Sequence, residues 1–179
     1  MLNTFVVHVE DKPGVLNRVA SLFRRRAFNI ESLTVGHTDQ PGTSRMTITV
    51  KADRHEAQRI EAYLYKLVNV LQVQNVTAVA AVYRELAMIK VAANADSRTH
   101  LMQLVTVFRA RVVDVAPDSI VIEITGTEAK IDSLLSVLQP YGVLETVRTG
   151  RVAMARGPKS TAEMTSVTGA AEDDAIYSV

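Results

Sequence analysis

The sequence predicts an α+β fold made of two β-α-β-β-α-β units in tandem, with a flexible C-terminal tail. Three observations lead there. Strand-like alternation and helix-like spacing follow one another in that order twice. The chain of 179 residues holds two compact units of about 70–80 residues each, within the ordinary size range of domains. After residue 157 neither period continues.

Leu2–Glu10 is rich in β-branched and aromatic residues, with Phe5, Val7 and Val9 on one face, and reads as a strand. Asp11-Lys12-Pro13-Gly14 breaks it, and Pro13 suits the first turn of a helix, where its missing N–H costs nothing. From there Val15, Leu16, Val19, Leu22 and Phe23 form a helical stripe closed by Arg24, Arg25 and Arg26, cations that complement the helix dipole. Asn29–Gly36 reads as a second strand and His37–Ser44 as a turn-rich connection. Arg45–Lys51 is a third strand, with Met46, Ile48 and Val50 on one side. Asp53 and Glu56 form a capping-box pattern ahead of Ala57, Ile60, Leu64, Leu67 and Val68 at helical spacing. Val70–Ala78 completes the unit, the ferredoxin-like arrangement in which two helices cover one face of an antiparallel sheet.

The second unit repeats the order. Leu86–Ala93 is a strand, and Leu101, Leu104, Val105 and Phe108 mark a helix after Ser97. Arg111–Val115 and Ile120–Thr125 pair across Ala116-Pro117-Asp118. Ile131, Leu134, Leu135 and Leu138 mark a second helix, and Val143–Thr149 a last strand. Domains are expected at 1–78 and 84–157, with a linker at 79–83. Residues 158–179, dominated by Ser, Thr, Ala and Gly, form the expected flexible tail. The second unit has no counterpart of Pro13-Gly14, so binding chemistry in that loop belongs to the first.

Composition excludes several classes. Hydrophobic residues at 47% and charged residues at 22% are ordinary for a globular protein. A formal charge of +1 gives no electrostatic case for a nucleic-acid partner. Without cysteine there is no disulfide, thiol chemistry or cysteine-based metal site. The four histidines have no paired ligand spacing, so no metal is expected. No apolar run reaches the length of a membrane span, and Met1–Val7 lacks a basic signal-peptide start, so a cytoplasmic protein is expected. No nucleophile elbow or nucleotide-binding glycine loop is present, and no catalytic residues are expected. RNA-binding modules share this strand order, but they stack bases on aromatic side chains, and aromatics here are only 5% of the chain.

What remains is Glu10–Asn17 and the segment Phe28–Leu33. Gly14 lets a ligand approach bare backbone, and the free N–H groups of the following helix start favour a carboxylate. Asp11 can accept from an ammonium group, and Asn29 can both donate and accept. Together these meet the needs of a free α-amino acid. The same residues also fit plain punctuation, with Pro13-Gly14 ending a strand and Asn29 capping a turn.

Asp-Lys-Pro-Gly-Val-Leu at 11–16 followed by Asn29-Ile30 resembles the signature of the ACT domain, a regulatory module that binds amino acids at domain interfaces. Arg24–Gly36, Ser44–Ile48, Phe108–Val115, Gly126–Leu135 and Arg148-Thr-Gly-Arg151 are similar, in order, to the small regulatory subunits of acetolactate synthase. That resemblance implies a homodimer without an active site of its own. It would bind the catalytic large subunit, which carries thiamine diphosphate, Mg²⁺ and FAD, raise its activity and make it sensitive to valine in branched-chain amino-acid synthesis. It places Asp11, Gly14, Val15, Leu16 and Asn17 of one protomer opposite Asn29 and Ile30 of the other, with Val35 and Gly36 as further wall. The first domain would sense valine and dimerise, while the second would contribute to activation. The alternative is a tandem-ACT amino-acid sensor acting on a different target.

Overall fold

The computed structural model describes residues 1–157; the expected tail at 158–179 lies outside the described residues. The chain divides into two units, one of residues 1–82 joined by the described residues from Ala153 on, the other Tyr83–Val152. The sequence reading instead carries the second domain to residue 157.

In the first unit, alternation along Leu2–Glu10 (β1) sends Phe5, Val7 and Val9 into the core, none more than 1% exposed. With Ile30–His37 (β2), Thr43–Lys51 (β3) and Val70–Asn75 (β4) it forms an antiparallel sheet in the order β2-β3-β1-β4. Helices Val15–Arg25 (α1) and Arg54–Leu64 (α2) cover one face. Val19, Leu22 and Phe23 from α1, and Ala57, Ile60 and Leu64 from α2, pack on Met46, Ile48 and Val50 of β3. Each large aliphatic or aromatic side chain so buried contributes about 1.5–3 kcal/mol against unfolding. The other face of the sheet is also buried and largely polar, at Thr4, Val6, Thr47 and Thr49. Arg45 on that face donates to the Ala153 carbonyl at 2.5 Å.

The second unit repeats the plan with Ala81–Ala92 (β5), Ala95–Val107 (α3), Arg111–Val115 (β6), Ser119–Gly126 (β7), Glu128–Leu138 (α4) and Val143–Arg148 (β8). Its sheet runs β6-β7-β5-β8, and a short strand, Val152–Ala155 (β9), also pairs with β5. Ile89, Ile120, Ile122, Ile124, Ile131 and Leu134 make its core, each no more than 1% exposed.

The first helix of each unit ends in the same way. The amide of Phe28 donates to Phe23 O and that of Ala27 to Arg24 O; Ala110 and Arg109 do the same to Val105 O and Thr106 O. These are Schellman motifs, which place the residue after the cap in the left-handed region. Here that residue is not glycine: φ is +56° at Ala27 and +51° at Arg109.

Several boundaries differ from expectation. β4 stops at Asn75 and β5 begins at Ala81, inside the expected linker. α2 ends at Leu64, because the amides of Leu67 and Val70 close tight turns onto Leu64 O and Leu67 O. Leu67 still packs on the core, but Val68 is 90% exposed.

Candidate functional site

Pro13 is not the first helical residue. The amide of Val15 donates to Lys12 O at 3.3 Å, and Gly14 has φ +84° and ψ −6°. Lys12–Val15 is therefore a type II turn, with Pro13 at its second position and Gly14 at the third, where a positive φ is required. Gly14 then serves as the N-cap of α1, with no side chain to accept from the first amides and no acidic residue in the first turn. The other three helices are capped by Asp53, Asn94 and Thr127, and carry Glu56, Asp96 or Glu128 in their first turns. The amide end of α1 is left open to an anion.

The loop ahead of it is fixed from below. Arg18 donates to the side-chain carbonyl of Asn69, the Asn69 amide donates to Glu10 Oε2 at 2.5 Å, and Lys12 lies 3.0 Å from the same oxygen. These donors, Asn69 first and Lys12 second, hold the Glu10 carboxyl below its usual pKa. Asp11 is anchored by its amide to Gly42 O at 2.8 Å. Its carboxylate accepts from Ser44 Oγ at 3.2 Å and lies 3.2 Å from His37 Nδ1.

Asp11, Gly14, Leu16 and Asn17 are exposed at one end of the sheet, and Val35 and Gly36 lie in β2 near the same end. Val15 is only 4% exposed and belongs to the core, so its backbone alone is available to a ligand. Asn29 and Ile30 sit elsewhere. Ile30 is opposite Val50, which is opposite Asn3 at the far end of β1. With about 3.3 Å per residue, the length of β1 puts them roughly 25 Å from Asp11. Within one chain the two groups do not meet. There Asn29, Ile30, Ala20, Phe23, Arg24, Ala27 and Phe28 line a shallow, wide-open hollow of about 450 Å³.

Sequence reasoning passed over His37 and Ser44, which hold Asp11, because they fall in what reads as a polar connection. It also treated Arg24, Arg25 and Arg26, at the end of α1, as one group. The second unit handles its equivalent junction differently. Arg98, the fourth residue of α3 as Arg18 is of α1, donates to the carbonyls of Ala93, Ala116 and Pro117 at 3.2, 2.7 and 2.8 Å. Asn94 and Ser97 close a capping box there, so the helix start is already occupied. Among the described residues no cluster of His, Asp or Glu could hold a metal ion, and no helix is long and apolar enough to cross a membrane.

Two βαββαβ units, one with a bare helix start beside a Pro-Gly turn, define a tandem ACT-type protein. Residues 5–72 match the family described as AHAS small subunit-like ACT domain, and residues 84–157 match the family described as small subunit of acetolactate synthase. The chain is 48% identical over 157 residues to the acetolactate synthase small subunit of Mycobacterium bovis, covering 88% of this chain and 94% of that one. It is 48% identical over 159 residues to a probable acetolactate synthase small subunit of Archaeoglobus fulgidus, covering 89% and 99%. The crystal structure of the small subunit from Thermotoga maritima superposes with a TM-score of 0.82 at 40% identity, covering 89% and 99%. The chain belongs to the acetolactate synthase small-subunit family.

Proposed function

We propose that this chain is the regulatory partner of a catalytic acetolactate synthase large subunit in the cytoplasm, raising its activity and making it sensitive to valine. The family supports a regulatory place in branched-chain amino-acid synthesis. The observation that carries the finer reading is the placement of the two half-sites at opposite ends of β2. β2 is an edge strand of eight residues without proline or lysine, the kind of sheet edge on which a second copy can pair. Two copies joined antiparallel along β2 bring Asn29 and Ile30 of one protomer to Val35, Gly36 and Asp11 of the other. Valine bridges them there, its ammonium on Asp11 and its carboxylate toward the open amides of α1. Such a ligand shifts the holoenzyme through unequal affinity for its active and inhibited arrangements, a coupling of about 1–3 kcal/mol in typical cases. Thiamine diphosphate, Mg²⁺ and FAD belong to the large subunit.

The test is acetolactate formation by the matching large subunit alone, with this chain, and with this chain plus valine. Stimulation that valine reverses is the expected result. Stimulation without valine sensitivity removes the ligand reading and keeps the partner. No stimulation favours a tandem-ACT sensor of another target.

A further inference from the structure

The three arginines that close α1 do different things. The Arg26 guanidinium carbon sits 4.1 Å from the centroid of the Tyr63 ring, and Arg25 donates from Nε to Ser21 O at 3.3 Å. The Arg24 side chain makes no hydrogen bond or ion pair among the described residues; it lines the hollow that holds Asn29. The left-handed turn at Ala27 folds the chain sharply between them and puts both side chains on one hollow. Phe23, Phe28 and Ile30 supply its apolar wall. An unpaired guanidinium and a carboxamide beside an apolar wall suit a carboxylate attached to an aliphatic group. Asp11 repels that same carboxylate, so a cation on the opposite side of the site has a task that the α1 amides meet only in part.

We infer that Arg24 binds the carboxylate of the regulatory amino acid. This rests on the two-protomer reading above and deepens it. Arg24 and Asn29 come from one chain and Asp11 with the α1 amides from the other, so the carboxylate of the ligand is shared between protomers while its ammonium is held by one. The guanidinium selects against amines that carry the right side chain without a carboxylate.

The experiment is calorimetric titration of the full chain with L-valine and with L-valinol, which keeps the side chain and ammonium but replaces the carboxylate by a hydroxymethyl group. The native chain should prefer valine. Arg24→Ala and Arg24→Gln should each weaken valine about tenfold or more, the effect of losing a charge-assisted hydrogen bond, and leave valinol within about twofold. Arg24→Lys, which keeps the charge, should retain part of the preference. If Arg24 only complements the helix dipole, the neutral variants lower the thermal midpoint and shift both ligands equally, which overturns the assignment. Unchanged valine affinity overturns it too, while leaving valine as the ligand. A native chain that binds neither compound overturns the amino-acid reading together with it.

Discussion

Glu85 on β5 and Arg148 on β8 are joined by two parallel hydrogen bonds, Nε to Oε1 at 2.7 Å and Nη2 to Oε2 at 2.9 Å. The Glu85 side chain is 7% exposed, and the remaining guanidinium edge donates to Asp132 at 2.7 Å. Glu85 first, and then Asp132, make the guanidinium hold its proton more firmly than usual, against the opposing effect of burial. Removing Arg148 leaves a carboxylate in the interior with no counter-charge. Arg148→Ala should therefore destabilise the second unit by about 3 kcal/mol, read from urea unfolding. Adding Glu85→Gln should recover part of that loss, because the stranded charge goes with it. A cost near zero for the single variant would show that water solvates Glu85.

A pH dependence is expected from the first unit. His8 on β1 lies opposite Arg45 on β3 and Gln72 on β4, and its Nδ1 is buried with no hydrogen-bond partner among the described residues. Burial first, then the Arg45 charge, lower its pKa from 6.5, with Asp39 pulling weakly the other way. The unfolded chain then binds a proton at a pH where the folded chain does not. Stability from this residue is complete above pH 6.5 and is lost as pH falls toward the lowered folded value. The urea midpoint of the native chain should drop between pH 7.5 and 5.5, and that of His8→Gln should drop less. Equal drops would assign the acid sensitivity to other groups.

Asn29 is the residue on which the proposed division of labour turns. It lies just before β2 and its side chain carries, among the described residues, one 3.4 Å hydrogen bond to Glu31, so its removal costs the fold little. Asn29→Ala should keep stimulation of the large subunit while raising the valine concentration needed for inhibition by about tenfold or more, since a ligand group loses its hydrogen-bond partner. The assay is acetolactate formation across a valine series. Loss of stimulation together with inhibition would mean that the first unit serves both roles.

The periods of the sequence made the order of elements legible, because burying one face of a sheet or helix leaves a regular mark at Phe5, Val7 and Val9 or at Ile131 and Leu134. Contacts between residues far apart in sequence leave no such mark. Pro13 illustrates the limit: its fixed φ suits a helix start and a turn equally, and only the Val15–Lys12 hydrogen bond decides for the turn. The candidate binding residues were recognisable as types, but their separation of roughly 25 Å followed only from the β1–β3–β2 register. The same applies to the partners of Asp11, since His37 and Ser44 reach it only once β2 and β3 are paired.

The Schellman ends of α1 and α3 were invisible for a related reason: the residue that normally announces them, glycine, is absent. Ala27 and Arg109 hold φ values of +56° and +51° that cost an L-residue roughly 1–2 kcal/mol. Glycine removes that cost but gives the unfolded chain more freedom, which takes back about 0.4–1 kcal/mol. The balance favours substitution, so Ala27→Gly and Arg109→Gly should each raise stability by about 0.5 kcal/mol in urea unfolding. The two sites are independent, one in each unit, and the double variant should be additive. A loss at Arg109 would mean that its side chain contributes packing that outweighs the strain. Ala27 also lines the hollow beside Asn29. If Ala27→Gly stabilises the chain yet weakens valine binding while Arg109→Gly leaves it unchanged, the strained turn is retained because it fixes Arg24 and Asn29 on one hollow.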